Sequence, residues 1–210
     1  KVADAFPLPF VITPYHHEQE IPALLPGQDI LLCRSTLSVN KALLDQHSSS
    51  LKVIATASSG IDHIDESYLL SQGIQLIDAK GSNASSVADY VLSCLAYLKT
   101  TQQLNVHKIG IIGVGAVGSE VVQRLQRLGY DMVSYDPPKA ERDPHFKSAT
   151  VSDLFDCQLI CIHANRHQDP PYPSVHLINA RFLKQLQPGT VIINAARGGI
   201  VDENALLDTA

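Results

Sequence analysis

The stretch Lys108-Ile-Gly-Ile-Ile-Gly-Val-Gly-Ala-Val-Gly118 constrains the fold more than any other in the chain. An apolar run feeds Gly113, Gly115 and Gly118, and Asp136 closes the next apolar run eighteen residues later. Gly113 permits a tight turn out of a strand, and Gly115 lets backbone approach a pyrophosphate. Gly118 lets the following helix pack closely on a sheet, with its N-terminal N–H groups facing the phosphates. Glycine triplets alone are common, so the flanking pattern matters. Ile109 to Ile112 reads as a buried strand. Val117, Val121, Val122, Leu125 and Leu128 share a helical face, and Gly129 sits where a helix-ending glycine belongs. Met132 to Tyr135 reads as the second strand. The pattern therefore predicts a βαβ dinucleotide site. Asp136 suits a ribose 2′-hydroxyl and would repel a 2′-phosphate, which favours NAD over NADP.

The rest of the chain fits an α/β enzyme. At 210 residues it can hold one or two domains, and 45% apolar with 18% charged residues is ordinary for a globular protein. A net charge of −5 without a basic block argues against nucleic acid as a partner. No apolar run nears the ~20 residues needed to cross a bilayer, and no secretory pattern opens the chain, so neither a membrane nor export is expected. Of the four cysteines, Cys157 and Cys161 are expected on one strand and one face. All four read as thiols of a reducing cytoplasm, with neither metal nor disulfide.

Strand-like runs at 10–13, 29–33, 52–56 and 75–78 alternate with helical stretches at 39–46 and 66–72. A long helix is expected from Ser85 to Lys99. A polar stretch from Thr100 to His107 then marks a boundary, giving domains 1–99 and 100–210. After Asp136 the chain reads as a Pro-rich loop to about Phe146. It continues with a short helix at 152–155, a strand at 158–163, a long polar loop at 165–173, a helix at 180–187 and a strand at 190–194. This order predicts two doubly wound parallel sheets, the second an incomplete Rossmann unit with a short extra strand near Ser148. Lys1 is not expected to be a native start, and a helix capped by Asp202 is expected to run to Ala210. A fragment is expected.

Two further stretches carry chemistry. Arg197, in Asn194-Ala-Ala-Arg-Gly-Gly, follows a predicted parallel strand where open α/β sheets bind ligands. It could grip a carboxylate with two parallel hydrogen bonds and polarise a nearby carbonyl, or pair on the surface with Asp202 or Glu203. Thr56-Ala-Ser58-Ser59-Gly60 and Arg34-Ser35 follow other strands, and such loops suit an anion or an ordinary turn. Among nine histidines, His16, His17, His47, His145 and His167 lie in polar stretches. His63 and His163 lie nearer the strand ends, but neither has a carboxylate placed by sequence to tune it. No base is assigned.

Together with Ser-Gly60-Ile-Asp-His-Ile-Asp65 and Asn83-Ala-Ser-Ser-Val-Ala-Asp89, these motifs resemble the D-isomer-specific 2-hydroxyacid dehydrogenases from about Gln28 onward. The resemblance implies a flavodoxin-like substrate domain, a Rossmann NAD domain and hydride transfer to NAD. Arg197 takes the position of the catalytic arginine. Cofactor contacts fall on Gly113, Gly115, Ala116, Val117, Gly118 and Asp136, and again on Ala164, Ala195, Ala196 and Arg197. Ala164 stands where a threonine is usual, which costs a hydroxyl. Ser35, Ser58, Ser59 and Gly60 fall where one subgroup holds a small phosphorylated 2-hydroxy acid, with serine for a commoner threonine at Ser58. The family's acid–base histidine and its glutamate partner are expected beyond Ala210, so these 210 residues are expected to be inactive alone. The first strand of the substrate domain and the C-terminal segment used for dimerisation are also expected to lie outside these residues, and the parent is expected to be a cytoplasmic homodimer. A sister enzyme for another short 2-hydroxy acid, or a non-catalytic NAD-responsive module, stays open.

Overall fold

The computed structural model describes residues 9–45 and 50–209. Lys1, the predicted helix end at Gln46, His47 and the terminal Ala210 lie outside them. The strands are β1 (Ile30–Cys33), β2 (Val53–Thr56), β3 (Gln75–Ile77), β4 (Lys108–Ile112), β5 (Asp131–Tyr135), β6 (Leu159–Ile162) and β7 (Val191–Asn194). The helices are α1 (Ile21–Leu24), α2 (Lys41–Leu44), α3 (Glu66–Ser71), α4 (Ala84–Thr101), α5 (Ala116–Arg127), α6 (Pro137–Arg142), α7 (Ala180–Leu183) and α8 (Glu203–Thr209). Every strand pairing is parallel, in two sheets ordered β1-β2-β3 and β5-β4-β6-β7.

The chain divides into compact units Lys1–Ser82 and Asn83–Ala210. The division precedes α4, whereas the polar run after that helix suggests a boundary at Lys99. α4 belongs with the second unit because Ala88, Val91 and Leu95 are buried in its core, and Arg124 of α5 bonds Asp89 and Ser85. The polar run is only the return into β4, with Leu104 N–H donating to Leu98 O at 3.2 Å.

In the first unit one core cluster, including Leu31, Leu44, Ile54 and Leu69, gathers behind the sheet. Asn40 and Asp65 cap α2 and α3 by accepting from Leu43 N–H and Tyr68 N–H. Gly73, at φ +68°, ends the α3 turn before β3. The expected strand at 10–13 does not form. Phe10, Val11 and Ile12 are exposed and lie outside the strands of the sheet, and an apolar cleft of about 460 Å³ lies between this segment and β1. Their strand-like composition reflects a preference that needs an adjoining strand edge to be realised.

The second unit has core on both faces of its sheet. Ile109, Ile111, Leu159 and Cys161 fall in one cluster, Ile112, Ile160 and Ile162 in the other. That is why β6 reads as a continuous apolar run. Cys157 precedes β6 and joins the second cluster, opposite Cys161, so the expectation that they share a strand and a face is wrong. The turn before the strand breaks the two-residue alternation. Near Ser148 no strand forms. Ala149 N–H gives β5 one bond, to Ser134 O at 2.8 Å, and Ser148 Oγ accepts from Asp136 N–H. The Pro-rich stretch expected as loop opens with α6 instead, Pro137 at its first position and Asp136 as its cap.

Candidate functional site

In the second unit the sheet edge is locked level at its C-terminal end. Gly113 N–H donates to Tyr135 O at 2.9 Å, His163 N–H to Ile112 O at 2.7 Å, and Ala195 N–H to Ile162 O at 3.2 Å. From this shelf the glycine loop turns into α5. Gly113 sits at φ +86°, and a Cβ on it would stand 2.5 Å from Ala164 N. A Cβ on Gly118 would stand 2.0 Å from Gly113 O. Both positions therefore exclude any side chain. Gly115 differs, because its Cβ would meet nothing within 4 Å. Open space in front of the N-terminus of a 12-residue helix fits a pyrophosphate, by close approach and by the helix dipole. Ala116 and Val117 form the first turn of that helix.

Asp136 follows β5 and spans the loop. One carboxylate oxygen accepts from Val114 N–H at 2.7 Å, the other from Lys139 N–H at 3.0 Å. Each oxygen keeps a lone pair, so the residue can cap α6, anchor the glycine loop and still accept from a ribose hydroxyl. Lys139 Nζ reaches Val114 O at 3.0 Å and lies over the Phe146 ring, tying the same corner together. The structural half of this arrangement was not anticipated from sequence, although Asp-Pro-Pro-Lys is a helix-start signal.

Beyond β7, Asn194 shapes the arginine turn. Its Oδ1 accepts from Ala196 N–H at 3.1 Å, and its Nδ2 donates to Arg197 O at 2.9 Å. Ala195, Ala196 and Arg197 are half-buried, and Arg197 Nη1 donates to Ala196 O. Gly199, at φ +76°, turns the chain toward α8. Asp202 caps α8 through Ala205 N–H and lies 3.9 Å from His176 Nδ1. Asn194 opens the arginine motif in the sequence, but its part in shaping the turn is visible only in the structure.

The first unit presents its own strand-end loops. Arg34 and Ser35 are exposed in a turn after β1, and Ser58, Ser59 and Gly60 are half-buried after β2. Ala57 N–H donates to Cys33 O at 3.1 Å, which brings both loops to one sheet edge. Ser58 O accepts from Ala79 N–H, and Ser59 Oγ donates weakly to Ala79 O at 3.4 Å. The two loops thus meet as the sequence suggests.

His163 stands apart. Both ring nitrogens are buried and without a hydrogen-bond partner among the described residues, and burial pushes its pKa down to about 4. It is a neutral imidazole near pH 7. His63 Nε2 lies 3.3 Å from Thr56 Oγ1.

Residues 93–210 match the model for the NAD binding domain of D-isomer specific 2-hydroxyacid dehydrogenases, and residues 10–150 match its catalytic domain. The chain belongs to this family. Among curated relatives, the erythronate-4-phosphate dehydrogenase of Legionella pneumophila subsp. pneumophila is 56% identical over 203 residues, which is 97% of this chain and 57% of the relative. That of Coxiella burnetii (strain Dugway 5J108-111) is 41% identical over 179 residues, 84% of this chain and 48% of the relative. This family member therefore spans roughly half the length of those proteins. Solved structures with the same fold include NAD+-bound 3-phosphoglycerate dehydrogenase of Entamoeba histolytica, at TM-score 0.76 and 22% identity, covering 92% of this chain and 64% of that one. D-lactate dehydrogenase of Aquifex aeolicus gives 0.72 and 23%, covering 92% and 62%.

Proposed function

We propose that the protein to which this chain belongs oxidises 4-phospho-D-erythronate to 2-oxo-3-hydroxy-4-phosphobutanoate with NAD, in the bacterial route to pyridoxal phosphate. The observation that carries this reading is 56% identity, over nearly the whole chain, to a dehydrogenase named for that substrate. The Gly113–Gly118 cradle, open at Gly115, would hold the pyrophosphate, and Asp136 the adenosine ribose. Ala164 and Ala195–Ala196 would line the nicotinamide side. The second unit is thereby read as the NAD domain and the first as the substrate domain. NAD supplies the hydride acceptor for C2. Arg197 grips the acid's carboxylate with two parallel hydrogen bonds and draws charge from the C2 oxygen as it becomes a carbonyl. Ser35, Ser58, Ser59 and Gly60 are assigned to the substrate. The C2 hydroxyl proton passes to a histidine that the family places after the arginine strand. The intact protein is read as a cytoplasmic homodimer by the same resemblance. Among the described residues, no helix is long and apolar enough to cross a membrane.

A panel of D-2-hydroxy acids assayed with NAD on the full-length protein tests the proposal. 4-Phosphoerythronate is expected to give the highest kcat/KM, at least tenfold above phosphoglycerate, lactate and glycerate. A higher value for any of those would overturn the substrate assignment.

A further inference from the structure

One cation at the sheet edge has no part in the scheme so far. Arg166 leaves β6 three residues after His163, and its exposed guanidinium makes no hydrogen bond or ion pair among the described residues. It is nevertheless placed. A Cβ on Gly199 would stand 3.0 Å from Arg166 Nε and 3.7 Å from Cζ, so the side chain lies across the backbone two residues after Arg197.

The loop that carries it is pinned from within. Ser174, only 3% exposed, accepts from His167 N–H at 2.8 Å and donates to Asn165 O at 2.6 Å, which clamps the residues on either side of Arg166. Ser174 and Val175 N–H both donate to His167 O. Beyond it, His176 N–H donates to Gly199 O at 2.8 Å, and Ile178 bridges Val201. The Arg166 loop and the Arg197 turn are thus stitched together. Between them Gly198 faces open space, with nothing within 4 Å of where a Cβ would be. The buried hydroxyl is satisfied as both donor and acceptor, so it fixes the loop without leaving an unpaired polar group.

We infer that Arg166 is a second anion-binding guanidinium, held over Gly199 by the Ser174 clamp to grip a phosphoryl group of a reactant. This rests on the proposed function, in which Arg197 takes the carboxylate. The anions then left on the reactants are the cofactor's pyrophosphate and the acid's terminal phosphate. A planar forked guanidinium suits either, since each offers paired oxygens. Because Arg166 is exposed, its replacement leaves the core untouched.

Arg166→Ala and Arg166→Lys in the full-length protein separate the two sources. NADH affinity is read by fluorescence titration without substrate. KM for 4-phosphoerythronate is read at saturating NAD, beside inhibition by unphosphorylated erythronate. If the pyrophosphate is the ligand, the NADH dissociation constant rises about tenfold in Arg166→Ala. If the acid's phosphate is, KM for 4-phosphoerythronate rises about tenfold while erythronate inhibition is unchanged. In both cases Arg166→Lys recovers only part, as a charge without the fork would. The inference is overturned if all values stay within twofold, or if erythronate weakens as much as 4-phosphoerythronate while NADH binding holds. Should the wild type oxidise neither acid, the functional reading fails separately, and the NADH titration alone decides Arg166: a rise supports it, no change overturns it.

Discussion

His163 occupies the kind of position from which a proton could be moved, yet its surroundings set it against carrying one. Its ordinary pKa would be 6.5, and burial holds it near 4 in the fold. Between those values the unfolded chain binds a proton that the folded chain refuses, so stability rises with pH across that window. The contribution is complete above about pH 6.5 and is lost as pH falls toward 4, on the order of 3 kcal/mol in all. His163→Leu is therefore expected to flatten the Tm-against-pH curve between pH 4 and 6.5 relative to wild type. An unchanged slope would mean the ring is solvated. Asp136 shows the limit of residue-level reading from sequence. Its spacing from Gly118 pointed to a ribose ligand, but the same carboxylate also caps α6 and anchors Val114. The proposed ribose role and the structural one would fall on a single side chain, and motif spacing points only to the first.

At the scale of elements, the glycine loop makes the sharpest distinction. Gly118→Ala drives a Cβ to 2.0 Å from a backbone oxygen that no rotamer can move aside, so α5 must lift off the sheet. A loss of at least ~3 kcal/mol is expected, of the overpacking kind. Gly115→Ala has free space and an ordinary φ of −76°, so only the helix cap suffers, by ~1 kcal/mol. It is nonetheless expected to weaken NADH binding at least tenfold, because the methyl fills the space in front of the helix. Denaturation and NADH titration of both variants check this. A Gly115→Ala protein that binds NADH normally would remove that glycine from the cradle. Elements whose signals are local were legible: β4, α5 with Gly129 at φ +84°, and the Asp202 cap. The segment at 10–13 was not, since its strand character depends on an edge to pair with. The start of α4 was placed correctly to within a residue, but its allegiance depends on Arg124 and Asp89, thirty-five residues apart.

Across the whole chain, the cysteines report how the two units bury their interiors. Burial pushes Cys157 up to about 11 and Cys161 up to about 12, and Cys33 is raised as well. Cys94 on α4 is the one that is not buried. Native labelling with a maleimide near pH 7.5, mapped by mass spectrometry, is expected to modify Cys94 first, the others following only with unfolding. Early labelling of Cys161 would contradict the two-faced core of the second sheet. The parallel layout of both sheets was readable from alternating runs. The division at Ser82 was not, because a boundary is set by which core a helix enters, and polar residues mark only where a chain meets water.

The turn after β7 is proposed to hold Arg197 for a substrate carboxylate. The most direct measurement is kcat/KM of Arg197→Lys in the full-length protein with 4-phosphoerythronate and NAD, beside Tm of the same variant. A fall of about 100-fold, roughly 3 kcal/mol of transition-state binding, is predicted with a stability change below ~1 kcal/mol. Near-normal kcat/KM with lowered Tm would instead make Arg197 a structural residue and remove it from substrate binding.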